Sequence, residues 1–185
     1  MYNPYVIGKN IYLRHPKEED AVGKWHEWFS DEETTRFLID RFWPNSAESQ
    51  VEFFKMLRND RCRLVLSVID KKSDQHIGIV SLGNINWVHR YSDFALVIGE
   101  KDFRKEAYAI EGITLILKIA FLRLNLETLK GAYVRSNQMT KAICNVFKFK
   151  EVGVYDNLLR INGKSEDLVA VMLGRESWMK RNKLL

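Results

Sequence analysis

Between Asp93 and Phe149 the chain sets out a strand, a loop, a helix, a second strand and a second helix, in that order. The first strand ends Leu96-Val97-Ile98-Gly99, the loop is Glu100-Lys101-Asp102-Phe103, and the helix opens Arg104-Lys105-Glu106-Ala107-Tyr108-Ala109. A strand that runs into a helix start leaves backbone N–H groups there without intrahelical partners, which makes a ready anion site. The small side chains of Ala107 and Ala109 let a ligand approach that backbone. The segment is therefore expected to hold a pyrophosphate.

A chain of 185 residues with 46% hydrophobic content can bury a sizeable core, and residues 1–185 are expected to form one domain. Charged residues make up 29% and only 3 are Pro, so no stretch reads as a linker or low-complexity tract. Met1-Tyr2-Asn3-Pro4-Tyr5 lacks the basic-then-apolar layout of a leader. Ile113 to Leu124, the longest apolar stretch, is interrupted by Lys118 and Arg123 and is too short to span a bilayer. Cys62 and Cys144 make no disulfide framework, and no Cys/His cluster has zinc spacing. A cytoplasmic protein with no metal and no membrane partner is the expectation. The net charge of +5 and pI near 9.1 favour anionic partners. The basic residues are scattered, which argues against nucleic acid and suits a phosphate-bearing ligand. The one local concentration, Lys180-Arg181-Asn182-Lys183, reads as a solvated end.

Periodicity supplies the rest of the layout. Ile11-Tyr12-Leu13-Arg14 reads as a half-buried strand, Lys17 to Phe29 as one helix with Glu18, Glu19 and Asp20 in its first turn, and Ser30 as the cap of a short helix through Phe37. Ser46 caps a helix from Ala47 to Asn59 whose apolar face is Val51, Phe54, Met56 and Leu57. Arg63 to Ile69, His76 to Trp87 and Asp93 to Gly99 read as antiparallel strands. A helix from Lys105 to Leu124, a strand Leu129 to Val134 and a helix Asn137 to Phe147 follow. A hairpin then pairs Lys150 to Tyr155 with Asp167 to Leu173 around Ile161-Asn162-Gly163-Lys164. This order describes an α+β domain with a mixed sheet.

The layout resembles the GNAT superfamily of acetyl-CoA-dependent N-acetyltransferases over nearly the whole chain, and its opening resembles the branch that acetylates ribosomal-protein N-termini and certain amino sugars. The resemblance implies a mixed, mostly antiparallel sheet with a splayed parallel pair and helices on both faces. The superfamily's loop of Arg or Gln, two residues, Gly, one residue, Gly or Ala is matched by Arg104, Ala107 and Ala109. Asn84-Ile85-Asn86-Trp87-Val88-His89-Arg90, followed by Asp93-Phe94 and Ile98-Gly99-Glu100, is similar to members of surface-polysaccharide and nonulosonic-acid biosynthesis. That implies a primary amine on a nucleotide-linked amino sugar as acceptor, with a protein N-terminal amine or a catalytically weakened CoA-binding domain as alternatives. The chain departs from the pattern at several positions: Cys144 stands where a proton-donating Tyr is usual, Lys148 where Gly precedes Phe149, Ala107 where Gly is more common, and Lys105-Glu106 where Gly-Lys is usual.

The resemblance also assigns roles. Backbone groups of Leu96, Val97 and Ile98 would bind the pantetheine arm and polarise the thioester carbonyl, in strands otherwise read as plain core. Arg104, Lys105, Glu106, Ala107, Tyr108 and Ala109 would hold the pyrophosphate, provided that positions 105 and 107 need no positive φ; Arg104 is otherwise a solvated helix-start residue. Asn137 is either an N-cap or a pantetheine contact. Cys144 is either a thiol donor or core packing. Asp93, paired with Arg90 on a bland reading, is the favoured base, with His89 and His76 as other candidates. Arg41, Phe42 and Trp43 overhang the acceptor side as stacking residues or belong to the core. An exposed edge strand is a candidate surface for a homodimer.

Overall fold

The computed structural model describes residues 1–38 and 43–184. An eight-stranded sheet runs in the order β1 (Pro4–Ile7), β2 (Ile11–Arg14), β3 (Leu64–Asp70), β4 (His76–Asn86), β5 (Tyr91–Ile98), β6 (Thr128–Val134), β8 (Lys164–Gly174), β7 (Lys150–Ile161). Every neighbouring pair is antiparallel except β5 and β6, which are parallel. The hairpin of β7 and β8 turns at Asn162 and Gly163, both at positive φ, which is what a two-residue turn between twisted strands requires. β7 forms one edge and is exposed along nearly its whole length.

On one face lie α5 (Glu106–Lys118), α6 (Gln138–Phe147) and α7 (Arg175–Arg181). They share a large core with Val80, Leu82, Leu129, Tyr133, Val169 and Val171 of the sheet. On the other face, a smaller core joins Trp25, Trp28, Phe54 and Leu57 to Val65 of β3 and Ile79 of β4. These residues come from a π-helical turn (Ala21–Trp25), α2 (His26–Ser30) and α4 (Ala47–Leu57).

Several expectations are corrected. The helix expected from Lys17 to Phe29 is broken into α1 (Glu18–Asp20), the π turn and α2, because Gly23 leaves helical geometry at ψ −143°. Asp20 is no solvated first-turn acid. It is buried and bonded by both guanidinium nitrogens of Arg14, at 2.6 and 2.8 Å, and this pairing lets β2 be buried throughout, not half-buried. The helix α3 (Glu32–Thr35) is capped by Asp31, which accepts from Thr34 N, while Ser30 donates to the Asn45 carbonyl. Ser46 caps α4 as expected, but Met56 points outward at 63% exposure. The tail Lys180-Arg181-Asn182-Lys183 is exposed as expected; its first two residues end α7, which Trp178, at 4% exposure beside Phe121, anchors. Among the described residues no helix is long and apolar enough to cross a membrane.

Candidate active site

The parallel pair supplies the site. Its register runs Tyr91↔Thr128, Ser92↔Leu129, Asp93↔Lys130 and then stops, although both strands continue. Beyond Asp93 the strands splay, and the far half of β5 keeps a neighbour only in β4. The Gly99 N–H bonds the Ile77 carbonyl at 2.9 Å, and backbone direction alternates along a strand. Val97 and Ala95 therefore turn their peptide groups to β4, whereas Ile98, Leu96 and Phe94 turn theirs into the splay. Of the three expected backbone contacts, Leu96 and Ile98 face the opening. Val97 does not, because its carbonyl packs 2.2 Å from where a Cβ on Gly78 would stand.

At the end of β5 a 3-10 turn (Lys101–Phe103) leads into α5. No residue from 104 to 109 has positive φ, and Lys105 is extended at φ −108° and ψ 144°. The alanines that replace the usual glycines are thus unstrained. Lys105 gives α5 no side-chain cap; its carbonyl accepts from Tyr108 N and Ala109 N, and Lys105, Glu106 and Ala107 are exposed at the helix start. Tyr108 turns into the fold, its hydroxyl donating to Asp70 at 3.0 Å, and Ala109 is buried. Arg104 is committed within the protein. It donates to the Ile98 and Gly99 carbonyls at 3.3 and 3.1 Å and to the Thr34 hydroxyl at 2.6 Å, and lies 3.4 Å from Glu33. It locks the splayed end of β5 to α3.

Asn137 caps α6, accepting from Thr140 N at 3.1 Å. Cys144, two turns on, is buried in the main core; burial, reinforced by Glu151, pushes its thiol up to about 11. The packing alternative is the one this environment favours. Nearby Tyr133 donates to Glu151 at 2.6 Å, and burial followed by that bond raises its phenol to about 12. Lys148 adopts φ 59°, the left-handed C-cap of α6, which explains why Gly is usual there: a side chain is strained in that geometry.

Asp93 stands at the crotch of the splay. Its bland partner is corrected from Arg90 to Lys130, whose ammonium pairs with one carboxylate oxygen while Asn84 Nδ2 donates to the other at 2.7 Å. Arg90 bonds the Asn125 carbonyl and Glu127 instead. His89 lies in the exposed β4–β5 turn, at the closed end of the pair, its N–H on Asn86 Oδ1. His76 is enclosed, 3.4 Å from Asp20 and 4.8 Å from the Trp28 ring, and burial lowers it to about 4. Trp43 is 81% exposed, which removes it from the core; Arg41 and Phe42 lie outside the described residues. Sequence reasoning missed Lys130, Asn84 and Trp28. Trp28 lies against Gly99, where a Cβ would sit 2.0 Å from the indole, and donates to Glu100 at 3.1 Å. No local pattern marks Lys130, because its role depends on the β5–β6 register.

Comparison with known proteins agrees with this geometry. The acetyltransferase (GNAT) domain model matches residues 10–150, and no curated protein sequence matches. The structure is similar to spermidine N-acetyltransferase from Vibrio cholerae in complex with CoA and spermine, with TM-score 0.85, 20% identity, and 93% of this chain and 99% of that one covered. It is also similar to a probable acetyltransferase (TM-score 0.80, 20% identity, 95% and 98% covered). A dodecameric Vibrio cholerae spermidine N-acetyltransferase in an intermediate state gives TM-score 0.80 at 20% identity, with 94% and 99% covered. The chain belongs to the GNAT acetyltransferase family and is an N-acetyltransferase.

Proposed function

We propose that this chain, acting as one unit over residues 1–185, transfers the acetyl group of acetyl-CoA to the primary amine of a small molecule. The observation that carries this reading is the open edge of β5 beyond Asp93, with the uncapped start of α5 at its end. The residues present fit CoA. The peptide N–H groups of Leu96 and Ile98 face the splay, where they would bind the pantetheine amides and polarise an acyl oxygen. The exposed N–H groups of Glu106 and Ala107 at a 13-residue helix start suit a pyrophosphate. Acetyl-CoA, when bound, supplies an activated acyl carbon and a thiolate leaving group. Asp93, oriented by Lys130 and Asn84, would accept the proton of the incoming amine through water. The enclosed Cys144 stays a thiol, so the thiolate would draw its proton from water or from the amine.

Two acceptor classes have support. The V. cholerae relatives named for spermidine and spermine favour a polyamine. The surplus of positive charge and the resemblance around Asn84 to Glu100 favour a nucleotide-linked amino sugar, which we take as the acceptor, ahead of a protein N-terminal amine. Self-association is proposed from the dodecameric relative. Release of free thiol, followed as acetyl-CoA is mixed with each amine in turn, tests the reading. Turnover with one small amine is expected, reduced at least tenfold by Asp93→Asn. Silence with every amine would overturn it.

A further inference from the structure

We infer that Lys130 makes the acceptor side of this cleft selective for an amine that also carries a negative group, and against polycationic amines. The inference rests on the acetyl-transfer reading and names the acceptor chemistry of that same site. Phe94 and Leu96 of β5, Leu129 and Tyr133 of β6, and Val169 and Val171 of β8 pack toward α5 and α6. Because side chains alternate along a strand, Asp93, Lys130 and Met172 stand on the opposite face. There the smaller core takes only Val65 and Ile79 from the sheet, among the described residues. The floor around the Asp93–Lys130 pair is therefore not roofed by α2 or α4, and it is paved by Ala95 and Ala132, both exposed, and half-buried Ala170. This leaves room for an acceptor against the crotch of the splay.

The charges on that floor discriminate between acceptors. The Lys130 side chain is 43% exposed and has three donors, of which one meets Asp93. An amine that approaches Asp93 therefore passes within contact of a fixed ammonium. A second positive group on the acceptor is repelled there, and a phosphate or carboxylate is attracted. Carboxylates that a polycation would need are already compensated on the β5 side of the mouth. Lys101 pairs with Asp31 and Glu33, Arg104 lies against the same two acids, and Lys24 pairs with Glu100.

The test compares glucosamine 6-phosphate, a UDP-linked 4-amino sugar, unmodified glucosamine and spermidine as acceptors for the wild type, Lys130→Gln, Lys130→Arg and Lys130→Glu. Thiol release gives kcat/KM, and calorimetry on the CoA-bound protein gives affinity. The wild type should prefer an anionic amine over glucosamine by at least tenfold, Lys130→Gln should erase the preference, Lys130→Arg should restore most of it, and Lys130→Glu should improve spermidine. Spermidine used as well as the anionic amines, or a preference unchanged in Lys130→Gln, would overturn the assignment, as would calorimetry that detects no anionic amine. Anionic amines that bind in a Lys130-dependent way without thiol release would overturn the transfer reading and leave the assignment of Lys130 standing.

Discussion

Cys144 occupies the helix position from which relatives are expected to protonate the departing thiolate, yet it is 5% exposed and its thiol is raised to about 11. A donor must reach the reacting atoms, and this one is sealed in packing. Replacing Cys144 by Ala should leave kcat within about twofold while lowering the melting temperature, since a core truncation of this size costs roughly 1 kcal/mol. In the native protein a thiol reagent should modify exposed Cys62 at once and Cys144 only on unfolding. A large fall in kcat for Cys144→Ala at unchanged CoA affinity would return Cys144 to the chemistry. The single-residue roles legible in the sequence were those fixed by neighbours in the chain, such as the caps Ser46 and Asn137. Lys130 and Trp28 were illegible because strand register and helix docking create their partners.

The broken first helix is tied to the sheet through one buried group of charges. Asp20 receives Arg14, the Ser67 hydroxyl at 2.8 Å and the Lys17 N–H at 2.8 Å, and His76 lies 3.4 Å away. Burial alone would raise the Asp20 carboxyl, but the Arg14 guanidinium and the Lys17 N–H hold it below the usual carboxylate range. His76 goes the other way: desolvation outweighs the attraction of Asp20 and lowers it to about 4. The folded protein then keeps the imidazole neutral where the unfolded chain binds a proton, so stability falls as pH drops from about 6.5 to about 4 and is level above. A shift of this size corresponds to at most about 3 kcal/mol. Urea titrations between pH 7 and 4 should show that slope in the wild type and a flatter one in His76→Asn; equal slopes would contradict it. Loss of the Asp20 contribution comes later, as pH falls below about 4. Strands β2 to β6 and β8 and helices α4, α5 and α6 were legible within a few residues because each has a clear period and a breaker, whereas β1 was not expected and β7 runs on to Ile161, past its expected end at Tyr155. The buried role of Asp20 was not legible, since Ser67 and His76 reach it from strands far along the chain.

At the scale of the molecule, the sheet separates two helical layers and opens between β5 and β6. α5 and α6 cover one face, α2 and α4 cover part of the other, and the parallel pair opens between them. The resemblance anticipated that gap; its polarity, with Asp93 and Lys130 at the closed end and the α5 start at the open end, needed the register. The central claim is that this gap and the α5 start bind acetyl-CoA through backbone donors. Calorimetric titration of CoA into the wild type and Ala107→Asp tests it most directly. An acid in the first turn of α5 favours the helix dipole and leaves the exposed surface otherwise unchanged, so the melting temperature should hold or rise while CoA affinity falls at least tenfold by repulsion of the pyrophosphate. Equal CoA affinity in the two proteins, or no binding to the wild type, would contradict the account.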